Sequence, residues 1–289
     1  MEALYQSREA DYSLSMPLAP IVCYYSSAKP QSGYSGAVRG YGEKLALALG
    51  YDACALADLP REVVPEISIG LEGHDWPDGL QPAHALKARP YADQHGFGPS
   101  MHPLRAPQLE ALRSPAKQER KGLIIIANPH WLAERAEQWA KDLAMWAANQ
   151  ALEEVMVTNS PRTNVLAWEV FSSEALKVGF KSMIINDING SNGYLSALAN
   201  SDAICLLGTS RSMAAEAAMS HAPIWVAFDN LEDENHFFAA IQQDFLPLRE
   251  RFSPFKLQNS SEEVLFAPCD VTEGYVRAAL AQIRREKAA

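Results

Sequence analysis

The sequence predicts an α/β protein with a doubly wound, mainly parallel sheet, and three observations carry this. From residue 121 to 228, apolar runs of five or six residues alternate with amphipathic stretches of helical period. The runs are almost uninterrupted in their apolarity, as strands covered on both faces are. The length, 289 residues, suits two domains of ordinary size.

Taken in order, residues 1–19 read as a leader with acidic residues and no apolar core, so not as a secretory signal. Ile21–Ser26 is the first strand, followed by the polar loop Ser27–Ser35 and a helix over Gly36–Leu49. Val38, Tyr41, Leu45 and Leu49 share one face of that helix, and Gly50 ends it. Tyr51–Leu56 reads as the next strand. Residues 57–121 are rich in Pro, His and Gly. Within them only a short strand at Ile67–Leu71 and a short helix at Pro107–Leu112 are legible, although a compact domain seldom holds so long an unstructured loop. A boundary is expected near Ser114–Lys121. Strands then follow at Gly122–Ala127, Glu154–Thr158, Ser182–Asn186, Ala203–Gly208 and Pro223–Phe228. The helices between them are Trp131–Gln150, Asn164–Val178, Asn192–Asn200 and Ser210–Ser220. A charged helix, Thr272–Lys287, closes the chain and can dock on either half. The expected organisation is a leader (1–19), a first Rossmann-like domain (20–118), a second (119–270) and a terminal helix (271–289).

Lys and Arg number 25 against 35 Asp and Glu, a net charge of −10. That balance excludes bulk binding to nucleic acid, which needs a basic face to displace phosphate counterions, and to anionic lipid. No apolar run reaches the roughly 18 residues of a membrane span. The four cysteines (Cys23, Cys54, Cys205 and Cys269) are scattered without metal spacing, and Cys23 and Cys205 sit inside apolar strands, which suits a reducing compartment. A soluble, cytoplasmic protein is expected.

Open α/β sheets bind ligands beyond the carboxyl ends of their strands, so the residues just after each strand matter most. After strand 203–208 come Ser210, Arg211, Ser212 and Met213, opening a helix that carries Glu216. Exposed N–H groups and hydroxyls at a helix start attract an anion, Arg211 can add a bidentate contact, and Glu216 can accept from a ribose diol. The same residues also read as an ordinary Ser N-cap with a solvated Glu. After strand 154–158, Ser160, Arg162 and Thr163 form a similar group behind Pro161, again readable as capping. If the two strands are adjacent, the two loops converge on one anion. His74, Asp75 and His102, in the weakly patterned region, are candidates for acid–base work. The loop Lys29–Gly33 matches neither dinucleotide nor P-loop fingerprints. Trp131, Trp139 and Trp146 form a stripe that reads as packing.

Several blocks together resemble the mitochondrial-fission ELM-like family. They are Asn192-Gly193-Tyr194-Leu195, Leu198-Ala199-Asn200-Ser201-Asp202-Ala203, Ser210 through Ala217 and Pro223-Ile224, in that order. Ser160-Pro161-Arg162-Thr163 is similar to the family's Ser-Arg-Arg-Thr-Pro element, and Lys29-Pro30, His74-Asp75 and Met101-His102 echo its first half. The resemblance covers about residues 120–228. It implies two Rossmann-like domains in a GT-B-like glycosyltransferase arrangement, with a nucleotide-diphospho-sugar in the cleft and an acceptor of unknown kind on the first domain. The nucleotide side would fall to Ser160, Arg162, Thr163, Ser210, Arg211, Ser212, Met213 and Glu216. His74, Asp75 and His102 would be catalytic, and neither metal nor cofactor is implied. The sequence departs from the family at the first loop, where the family's Asp and His are absent from Ser27–Gly33, and at Thr209, where the family has an acid. Two alternatives follow. One is a non-catalytic scaffold retaining the fold, with a protein partner on the Trp-rich helix or on 77–107. The other is a sugar-nucleotide epimerase-like enzyme.

Overall fold

The computed structural model describes residues 20–24, 33–60, 63–71, 84–88, 106–114, 119–160, 163–183, 192–208, 210–244, 250–257, 265–269 and 271–288. Two parallel sheets organise them. The first has four strands, β1 (Ile21–Tyr24), β2 (Asp52–Ala55), β3 (Ile67–Leu71) and β4 (His84–Ala88), in the order β2-β1-β3-β4. Every pairing in it is parallel. Helix α1 (Gly33–Leu49) lies on this sheet and buries Val38, Tyr41 and Leu45, the face expected from the period. It approaches β1 closely: a Cβ on Gly42 would stand 2.8 Å from the Tyr24 ring.

The second sheet has six strands: β5 (Lys121–Ile126), β6 (Glu154–Asn159), β7 (Lys181–Met183), β8 (Ala203–Leu207), β9 (Ile224–Ala227) and β10 (Phe252–Pro254). Their order is β10-β9-β8-β5-β6-β7, all parallel. Counted from β5, this is the doubly wound order that reverses direction beside the first strand, here between β5 and β8. The uninterrupted apolarity of β5 has a direct cause. Successive strand residues point to opposite faces, so Leu123 and Ile125 enter one core while Ile124 and Ile126 enter the other.

Helices α3 (Leu132–Asn149) and α4 (Val165–Lys177) cover one face. The other face is covered by α5 (Asn192–Asn200), α6 (Arg211–Ala218) and α7 (Leu231–Asp244). The tryptophan stripe points inward: Trp131, Trp139 and Trp146 are all buried, with Trp139 against Phe255 and Trp146 edge-on to Trp225. The Trp-rich helix therefore does not offer these rings to a partner.

The short helix α2 (Ala106–Glu110) and the turn after it dock on the second sheet's core. Leu109 is buried there, the Ser114 N–H donates to Asn200 Oδ1 (2.7 Å), and Asn200 Nδ2 donates to the Leu112 carbonyl (3.0 Å). The terminal helix α8 (Val271–Ala288) returns to the first sheet, where Val276, Ala279 and Ile283 pack with Val22, Ile67 and Ile69. Its Tyr275 touches both cores. The two parallel α/β sheets match the expected pair of Rossmann-like halves, and the last helix packs on the first of them. No helix among the described residues is long and apolar enough to cross a membrane.

Four described elements have no counterpart in the sequence reading: β4, β10, α7 and the 3-10 turn Leu56–Asp58. Strands β4 and β10 are edge strands, each paired on one side only. β4 (HALKA) carries little apolar signal, and β10 contains Pro254, a residue that sheets tolerate at their edges. Helix α7 was legible in principle. Asn230 Oδ1 accepts from the Asp233 N–H (2.8 Å) as a cap, acids fill the first turn, and Phe237 and Ile241 are buried four residues apart. The predicted strand Ser182–Asn186 is seen at Lys181–Met183, and its remainder lies outside the described residues.

Candidate functional site

Because every strand of the second sheet runs the same way, the loops after β5, β6, β8 and β9 share one edge. The crevice of a doubly wound sheet opens at the reversal point, which places the loops after β5 and β8 side by side. The chain turns there at Gly208, whose φ is +90°. A Cβ at this position would stand 2.6 Å from the Ala127 carbonyl oxygen and 3.1 Å from the Pro129 nitrogen. Only glycine permits both the conformation and the approach. The facing loop is itself unusual: Asn128 has φ +58° immediately before a proline, and Asn128 and His130 are exposed.

Helix α6 begins just beyond. Ser210 is its N-cap in extended conformation (φ −85°, ψ 106°), and its Oγ accepts from the Met213 N–H at 3.5 Å. Arg211 is the first helical residue, Ser212 is exposed, and Met213 is buried in the core below. Glu216 is 8% exposed, and the Tyr194 hydroxyl, itself on a 7% exposed residue of α5, donates to its Oε2. Burial, with the carboxylate beside it, pushes the Tyr194 phenol well above its ordinary range, so it stays a neutral donor. Replacing Ser210 with Ala removes the cap and should cost about 1 kcal/mol of stability, read as a lowered melting temperature.

The loop after β6 behaves differently. Ser160 and Thr163 are buried, and their hydroxyls lie 3.1 Å apart. Thr163 Oγ1 donates to the Ile126 carbonyl (2.9 Å) and accepts from the Ser160 N–H (3.0 Å). The two residues staple this loop to the end of β5, and the capping of α4 falls to Asn164, whose Oδ1 accepts from the Ala167 N–H (3.1 Å). The loops after β6 and β8 also do not come from adjacent strands. β5 stands between them, so they start about 10 Å apart, two strand spacings. The reason is the doubly wound connection, which returns to the far side of the first strand.

The structure thus gathers Ser210, Arg211, Ser212, Met213 and Glu216 on one helix, with Ser160 and Thr163 two strands away. His74, Asp75, His102 and Arg162 lie outside the described residues. Tyr194 and Gly208 went unassigned in the sequence reading, as did Asn128 and His130. An apolar strand followed by Asn-Pro was the available signal for the last two. Among the described residues no group of three or more His, Cys, Asp or Glu is arranged to hold a metal ion.

Fold and edge together define a two-sheet parallel α/β protein whose candidate site lies at the reversal point of the second sheet. The family model described as Mitochondrial fission ELM1 matches residues 100–272, and the chain belongs to that family. The matched span takes in α2, which fits the docking of that helix on the second sheet. Among solved structures, the chain is similar to WaaG, a glycosyltransferase involved in lipopolysaccharide biosynthesis. The identity is 10%, the coverage is 93% of this chain and 94% of that chain, and the TM-score is 0.35. Among curated proteins none matches the chain.

Proposed function

We propose that the chain is a GT-B-like glycosyltransferase that binds a nucleotide-diphospho-sugar on the carboxyl edge of its second sheet, without a metal. One observation carries this reading: a buried, oriented carboxylate, Glu216, stands on the helix that starts at the tight Gly208 turn beside the sheet's reversal point. In this reading the first turn of α6, with Ser210 and Ser212, receives the diphosphate, and Glu216 receives the ribose. Arg211, the first residue of α6, offsets the charge of the leaving diphosphate in place of a cation. A protein of net charge −10 needs such a local concentration of positive potential to hold a nucleotide diphosphate.

The test is a thermal-shift series with UDP, GDP and ADP and their sugars at millimolar concentration. At 100 times the dissociation constant, a bound ligand adds about 2.7 kcal/mol of stability. At least one should raise the melting temperature of the wild-type chain, and Glu216→Ala should abolish that rise. No shift with any of them would defeat the reading.

A second reading, a non-catalytic scaffold, draws on a separate observation. The outer face of α4 exposes Val165, Leu166, Val170 and Leu176. Single exposed apolar residues are ordinary, whereas four on one helix suit a partner surface. Turnover of any sugar nucleotide by the purified chain decides against it.

A further inference from the structure

The hydrogen bond from Tyr194 to Glu216 joins residues 22 apart in the chain that stand on two different helices. It links the Asn192-Gly193-Tyr194 block to the Ser210–Ala217 block, which sequence resemblance alone leaves unconnected. Both residues are buried on the face shared by α5 and α6, and the Tyr194 ring is packed in the core with Leu198 and Ala214. A packed ring fixes where its hydroxyl stands, and the hydroxyl fixes the carboxylate that accepts from it.

A carboxylate has two oxygens and about four acceptor positions. Gripping both hydroxyls of a vicinal diol requires that one edge of the group be held in a single orientation. A glutamate left to its own rotamers pays for that ordering on every binding event, at about 0.5–1.5 kcal/mol per immobilised side chain. The phenol at Oε2 does the ordering in advance. Because the surroundings are dry, this hydrogen bond is also stronger than its counterpart in water.

We propose that Tyr194 is a positioning residue for ribose recognition: it holds the Glu216 carboxylate in the orientation that accepts the vicinal diol, and so makes the site selective for ribonucleotides. The proposal rests on the nucleotide reading given above and adds to it a residue and a selectivity.

Tyr194→Phe removes the hydroxyl and keeps the ring, so packing and fold are retained. The probes are whichever of UDP, GDP and ADP gives the largest thermal shift, and the 2′,3′-dideoxy form of the same nucleotide. Both are titrated by calorimetry into wild type, Tyr194→Phe, Glu216→Gln and the double variant. Wild type should prefer the ribonucleotide by roughly 10-fold or more, the size of hydrogen bonds to a charged group. Tyr194→Phe should cut that preference several-fold while leaving affinity for the dideoxy form unchanged, and the double variant should lose no more selectivity than Glu216→Gln alone. A merely structural role predicts equal losses for both ligands, and that result overturns the proposal. So does an unchanged preference in Tyr194→Phe. A wild type that binds the nucleotide without preferring ribose overturns the proposal and leaves the nucleotide reading standing. A wild type that binds neither probe removes both.

Discussion

Replacing Gly208 with Ala should destabilise the chain by about 3 kcal/mol and abolish the proposed nucleotide binding in whatever fraction remains folded. Two costs add. An L-residue at φ +90° is held in the left-handed region, which is unfavourable by about 1–2 kcal/mol. The new methyl would also stand 2.6 Å from the Ala127 carbonyl oxygen, a main-chain atom that cannot swing aside as a flexible side chain can. Relief requires the loops after β5 and β8 to part. These strands are bonded through that same end, with the Ala127 N–H donating to the Leu207 carbonyl (2.7 Å). The start of α6 moves with the loop, so the candidate site opens as the strands separate. Chemical denaturation gives the first quantity and calorimetric titration the second. A variant as stable as wild type would show that the turn relaxes without strain.

Replacing Arg251 with Ala should cost about 3–5 kcal/mol, the range for breaking a buried charged network. Arg251 is 2% exposed. Its guanidinium donates to the Ala218 carbonyl, to the Ser220 carbonyl (2.8 Å) and to the Ala222 carbonyl (3.0 Å). These carbonyls belong to the end of α6 and the turn beyond it, where a helix leaves its last acceptors without partners. Burial draws the guanidinium down to about 10, so it remains charged at neutral pH and places a cation at the negative end of the helix dipole. Alanine leaves both a cavity and several orphaned carbonyls. Lysine restores the charge yet lacks the planar fork that reaches three acceptors at once, so Arg251→Lys should recover only part of the loss. Melting temperatures of the two variants rank them. If Arg251→Ala melts within a degree or two of wild type, the carbonyls are satisfied by other means.

The two residues hold opposite ends of the same short helix. Gly208 sets where α6 begins and Arg251 sets how its far end is anchored, so the placement of Glu216 depends on both. Neither role is written in local sequence. Gly208 follows a strand, where a glycine is commonplace, and Arg251 sits in a charged stretch that looks solvent-facing.

Local sequence did determine much of the second half. β5, β6, β8 and β9 were legible because strands buried on both faces must be apolar throughout, and α3, α4, α5 and α6 because one face of each had to be apolar at helical spacing. The Ser210 cap was legible too, since capping is a property of a few adjacent residues. Whatever depends on partners distant in the chain was decided by the tertiary structure alone. Strand order inserted β5 between β6 and β8, and so separated two loops that looked like partners. Edge strands β4 and β10 exist because a neighbour offers hydrogen bonds, and their own residues carry little strand signal. The terminal helix α8 could serve either half by composition, and the apolar surface of the first sheet fixed its place. Local sequence left Glu216 readable either as a ribose ligand or as a solvated helical glutamate, and packing buried it against Tyr194. Secondary structure here follows from short-range periodicity, whereas the candidate site is made by side chains that meet only when the sheet brings their helices together.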